Sequence, residues 1–89
     1  MVTATDDLRD AAEALTDRQR HILGELARGQ RVDQIAAGLA ISRVYTYATL
    51  REAKETLGAT TTAGAVVASI VAGAVELPRP GDLFFPDVE

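Results

Sequence analysis

The chain has 89 residues, no cysteine, one histidine and a single lysine, Lys54. That length supports one small domain with little room for an enclosed active site, and the missing thiols remove disulfide frameworks and thiolate metal sites, so a reducing cytoplasm fits. The net charge of −4 speaks against a uniformly basic nucleic-acid binder, yet it divides unevenly: −3 over residues 1–14, +2 over 15–58 and −3 over 59–89.

Hydrophobic residues make up 47% of the chain and aromatic ones only 4%, so the predicted core is built from Ala, Val, Leu and Ile. The opening stretch, MVTATDDLRD, lacks the basic and then apolar segments of a secretion signal. Residues 1–5 are expected to fray. Asp6 or Thr5 would then cap a short helix through Leu15, with acids in its first turn where the helix dipole favours them.

The next predicted helix begins at Thr16, which forms a capping box with Gln19 and has Leu15 before it. Ile22, Leu23 and Leu26 give it a buried stripe, while Arg18, Arg20 and Glu25 are expected to stay wet. Gly29 supplies a left-handed stop. His21 has no second imidazole or cysteine near it in sequence and is read as a surface residue, not a metal ligand.

From Arg31 to Gly58 the chain reads as a short helix, a tight turn and a longer helix. Ile35, Ala36 and Leu39 stripe the first, about 32–39. Ile41 is expected to plug the core in the turn, and Ser42 to cap the second helix. In that helix, 43–57, Thr46, Leu50, Ala53 and Leu57 share one side, and Arg43, Tyr47, Arg51 and Lys54 share the neighbouring one. An apolar back with a basic, hydrogen-bonding front suits a helix that a helix-turn-helix inserts into a DNA groove. The same pattern also suits an ordinary amphipathic helix of a small bundle.

Gly58 ends that helix, and Thr60 to Thr62 offer caps for the last one, 62–75, which is apolar almost all round and needs cover on more than one face. Its apolar run, Ala63 to Val75, is too short for the roughly 20 residues that cross a bilayer, so no membrane partner is expected. Gly64, Ala68 and Ala72, four apart, would let two helices approach closely, and dimerisation through this helix is expected. Pro78 and Pro80 break it. The acidic tail that follows carries Phe84 and Phe85, expected to dock on the chain's own domain or, as the alternative, on a protein partner.

In order, Leu15-Thr16, Arg18, Ile22-Leu23, Leu26-Ala27, Gly29, Ile35-Ala36, Leu39, Ile41-Ser42, Leu50, Leu57-Gly58 and Ala63 follow one pattern without a gap. By these residues the chain resembles the DNA-binding domain of LuxR-type (GerE-type) regulators from about Leu15 to Val75. The C-terminal helix-turn-helix of sigma factors is a weaker match, because it leaves the helix after Gly58 unexplained. The resemblance implies an all-α, four-helix domain over 15–75, here with an extra short N-terminal helix in the acidic segment 1–14 and an extended tail over 76–89.

It further implies that the third of those four helices enters the major groove and the fourth mediates a homodimer. Base-facing positions would be Tyr47, Ala48 and Arg51. Phosphate contacts would come from Gln30 and Arg31 and from the flanks of the third helix, completing a DNA-binding set with Arg43, Val44 and Lys54. The dimerisation set would be Gly64, Ala65, Ala68, Ser69, Val71 and Ala72. The chemistry is compatible: Arg51 can present a bidentate fork to guanine, Ala48 can touch a thymine methyl, and the Tyr47 hydroxyl can bond a base or phosphate.

Some positions depart from the family's habit. Tyr47 stands where lysine is common, Glu55 and Thr56 where basic residues are common, Thr49 at a frequent histidine position, and Thr46 where a buried valine is usual. Fewer cations at the interface predict weaker non-specific binding. Tyr45 is expected to pack on the first helix of the domain. With only fourteen residues before Leu15, regulatory input is expected from dimerisation, a partner or protein abundance, and the acidic ends could restrain the basic face.

The leading expectation is therefore a sequence-specific regulator that binds double-stranded DNA as a homodimer, with no metal or cofactor. The alternative is an adaptor that keeps the fold but binds another regulator or the transcription machinery, through the Ala63–Val75 helix or the Phe84-Phe85 tail. An enzyme is disfavoured, because the chain has no glycine-rich phosphate loop and its carboxylate pairs, Asp6/Asp7 and Glu52/Glu55, read as solvated helix residues.

Overall fold

The computed structural model describes residues 4–84, and the side chains from residue 7 onward. The expected fraying over 1–3, and the segment 85–89 with Phe85, lie outside the described residues. Five helices follow in order: α1 (Ala4–Glu13), α2 (Asp17–Ala27), α3 (Val32–Leu39), α4 (Arg43–Leu57) and α5 (Thr62–Val71). No strand occurs among the described residues. After α5 the chain runs as a strap, residues 76–84, with one 3-10 turn at Pro80–Asp82.

The starts of α2 to α5 come from side chains that satisfy orphan backbone donors. At α2 the expected capping box is present in both directions. The Gln19 amide donates to Thr16 Oγ1 at 3.1 Å, and the Thr16 amide donates to Gln19 Oε1 at 2.9 Å. At α3 the Arg31 amide donates to Gln34 Oε1 at 3.0 Å. Ser42 caps α4 by accepting the Tyr45 amide at 3.0 Å, and of the three threonines before α5 it is Thr61 that accepts the Gly64 amide, at 2.9 Å. The first helix begins earlier than expected, at Ala4, and ends at Glu13, with Ala14 and Leu15 closing its last turn through amide bonds to Ala11 and Ala12.

Helices α2, α3, α4 and α5 pack on one another around one core, and α1 lies against α4. The core consists of Ala12, Leu15, Ile22, Leu23, Ile35, Leu50, Ala53, Leu57, Ala65 and Val75. Aliphatic side chains alone fill it, as the composition demands. Because Ala12 comes from α1, the core reaches back before residue 15. The expected inward side of α4 is buried throughout, with Thr46, Leu50, Ala53 and Leu57 joined by Thr49. The buried hydroxyls are satisfied within their own helices: Thr46 donates to the Ser42 carbonyl at 2.8 Å, Thr49 to Tyr45 at 2.9 Å, and Ser69 to Val66 at 2.7 Å.

Three expectations change. Ile41 does not plug the core; it is half-buried and outside the cluster, because α3 ends on Ala40 in the left-handed region and the turn carries the chain outward. The last helix stops at Val71, four residues short of Val75. Gly73 adopts φ +78°, and the Gly73 and Ala74 amides turn back to the Ile70 and Ser69 carbonyls at 3.0 and 2.9 Å, which is a closed helix end. That turn drops Val75 into the core beside Gly24. Finally, Glu25 is largely covered, its side chain 16% exposed, because Arg28 and Gln30 both bond its carboxylate.

Candidate nucleic-acid interface

The inward residues of α4 leave an opposite stripe in solvent. Val44, Tyr47 and Arg51 are exposed, with Ala48 half-buried between them, at the i, i+3, i+4, i+7 spacing of one helical face. Val44 is 81% exposed, an apolar side chain given no cover by its own chain. Arg43 is exposed at the start of the helix and Lys54 half-buried towards its end. Among the described residues, no salt bridge engages Arg43, Arg51 or Lys54. Glu52 and Glu55 are exposed on the same helix and dilute its positive charge.

Tyr45 does reach α2, but by a different contact from apolar packing. It is half-exposed, and the Arg18 guanidinium lies 5.9 Å from its ring centroid. That cation on α2 is exposed beside the first turn of α4, a neighbourhood that its place in the sequence does not reveal.

Gln30 and Arg31 lead into α3, so they stand at the start of the helix that precedes α4 across the turn Ala40, Ile41 and Ser42. Arg31 is exposed, with Nε 3.7 Å from Asp33 Oδ1, a distance that holds it only loosely. Gln30 is half-buried, and its side-chain amide donates to Glu25 Oε2. The other oxygen of that carboxylate accepts Arg28 Nη1 at 3.0 Å. Arg28 and Gln30 therefore meet on one carboxylate, a link between α2 and the loop leading into α3 that residue spacing does not suggest.

The strap closes on the same corner. The Phe84 amide donates to the Arg28 carbonyl at 2.7 Å, Arg28 Nε donates to the Asp82 carbonyl at 3.1 Å, and the guanidinium lies 5.0 Å from the Phe84 ring centroid. Gly29 has φ +96°, and a Cβ there would stand 2.8 Å from the Phe84 carbonyl oxygen, so this turn accepts the strap only as glycine. Phe84 thus docks on its own domain, as expected of the tail. Between strap and α2 runs an open groove of about 360 Å³ whose lining includes His21, Glu25, Glu76 and Arg79. Among the described residues no group of acidic or histidine side chains is placed to hold a metal ion.

The set expected to dimerise is split by the fold. Ala65 and Ser69 are fully buried against the chain's own core and cannot meet a second copy, because α5 turns that face towards α2 and α4. Gly64, Ala68 and Ala72 are half-buried, and Val71 is 62% exposed. Val67, 59% exposed and four residues from Val71, belongs to the same outward stripe, together with Ala63. No helix among the described residues is long and apolar enough to cross a membrane.

A family model described as GerE, bacterial regulatory proteins of the luxR family, matches residues 13–66. Neither a curated protein nor a solved structure matches the chain.

Proposed function

On the premise that this chain belongs to the luxR family of bacterial regulatory proteins, a helix-turn-helix family, we propose that it binds double-stranded DNA sequence-specifically as a homodimer. The observation that carries the reading is the exposed stripe Val44, Tyr47, Ala48 and Arg51 on α4, backed by a fully buried opposite side. A helix held so rigidly from behind presents its front at a fixed depth, which base readout requires. Arg51 donates a fork to guanine O6 and N7, Ala48 and Val44 offer apolar surface to thymine methyls, and Tyr47 donates to a base or phosphate oxygen. Gln30, Arg31, Arg43 and Lys54 supply backbone contacts that set register.

Dimerisation proceeds through the outward stripe of α5, where Val67 and Val71 stand in water beside the small residues Gly64, Ala68 and Ala72. Two α4 helices, one per protomer, then address two half-sites whose spacing the dimer fixes.

The test is selection of bound duplexes from a random DNA pool with the parent and Arg51→Ala in parallel, at low and near-physiological salt. The expected result is a two-part motif for the parent, and loss of preference at one position per half-site for the variant. The contact is worth about 1–3 kcal/mol of discrimination. No enrichment by a folded parent, or the same motif and affinity from Arg51→Ala, would refute the reading.

A further inference from the structure

The strap lies outside the residues that match the family model, and it engages one side chain with several groups at once. Arg28 gives its carbonyl to the Phe84 amide, its Nε to the Asp82 carbonyl and its ring-facing surface to Phe84, while Nη1 stays on Glu25. That side chain is 40% exposed and shares the Glu25 carboxylate with Gln30, at the entry to α3. In a helix-turn-helix the helix before the recognition helix crosses the DNA backbone, and backbone amides at its N-terminus face phosphate. We propose that Arg28 is a further phosphate-binding residue and that the strap, by occupying it, holds it back from DNA. The proposal rests on the DNA-binding reading above.

The chemistry at the corner makes this exchange balanced. A phosphate arriving at Gln30 and Arg31 meets the Glu25 carboxylate, whose negative charge opposes it. Arg28 already neutralises that carboxylate through one nitrogen, and a guanidinium has five N–H donors to share. Once the strap leaves, Nε and the remaining N–H groups face outward and can bond phosphate oxygens without giving up Glu25. The strap's hold is one backbone hydrogen bond from the Phe84 amide, one bond from the Arg28 guanidinium to the uncharged Asp82 carbonyl and a half-exposed aromatic contact. A bond from the same guanidinium to an anionic phosphate, ionised at both ends, is stronger than any of these. Strap docking and DNA binding therefore oppose each other, and the opposition is reciprocal.

Phe84→Pro releases the strap at its last described contact by removing both the amide donor and the ring. Phe84 is outside the core cluster and 41% exposed, so the helices remain folded. Phe84→Ala, which keeps the amide, serves as a milder second variant. Each is measured in the full chain, alone and combined with Arg28→Gln, by titrating a selected duplex across a salt series. Expected is a gain in affinity of about three- to tenfold at low salt, with the plot of log affinity against log salt steeper by about one. Phe84→Ala should show a smaller gain, and neither variant should have any effect in the Arg28→Gln background. In the parent, saturating DNA should speed hydrogen exchange at the Phe84 amide.

Unchanged affinity and slope on strap release would overturn the proposal, as would an equal gain when Arg28 is absent, which would assign the effect to the tail's charge. Either result would leave DNA binding by the parent intact. If no protein bound any duplex at low salt, the DNA-binding reading would fall and this proposal with it.

Discussion

Ala40 is the one described non-glycine residue at positive φ, +56°, where it ends α3 ahead of the turn. A Cβ in the left-handed region costs about 1–2 kcal/mol, partly offset by the extra chain entropy that glycine loses on folding. Ala40→Gly is accordingly expected to stabilise the domain by about 0.5–1 kcal/mol, raising the Tm by about 2–8 °C for a domain this size. A thermal melt that falls instead would show that the Ala40 methyl packs usefully. Thr46 offers the complementary case. Its hydroxyl is buried and bonded to the Ser42 carbonyl, but that carbonyl also accepts the Thr46 amide at 3.0 Å. Thr46→Val therefore leaves no orphan group and adds one buried methyl, for a gain of up to about 1 kcal/mol. A loss above about 1 kcal/mol in a denaturant titration would mean that the hydroxyl does more than satisfy itself.

At the scale of elements, α2 to α5 share one design. A polar group caps each start, and a residue at positive φ follows or closes each end: Gly29, Ala40, Gly58 and Gly73. Helix α5 differs in having an apolar outward face, which the proposed dimer covers. Val67→Asp places a charge in that face without touching the core, so monomer stability should change by no more than about 0.5 kcal/mol. Sedimentation should then report a monomer, and the dependence of Tm on protein concentration should vanish. A variant that still sediments as a dimer would move the interface elsewhere.

Across the whole molecule, local chemistry was legible and long-range chemistry was not. Thr16 with Gln19, Ser42, Gly29 and Gly58 announced helix ends, because capping acts over three or four residues. The inward side of α4 was readable because polar residues interrupt it at helical spacing. Helix α5 gave no such phase. Being apolar nearly all round, it concealed both that Ala65 and Ser69 turn inward and that Gly73 ends the helix before Val75. At the candidate interface, spacing put Tyr47 and Arg51 on the outward side, whereas Val44 and Ala48 entered only with the family resemblance. Arg28 carries no local signal, because its partners at Asp82 and Phe84 lie more than fifty residues away in sequence.

The placement of the aromatic side chains has an optical consequence. The chain has no tryptophan, and its two tyrosines, Tyr45 and Tyr47, are both exposed on α4, away from an all-aliphatic core. Tyrosine emission from this protein therefore reports on α4. Both rings are about half exposed and Tyr45 lies under the Arg18 guanidinium, so anything that seats on α4 should quench or shift this emission.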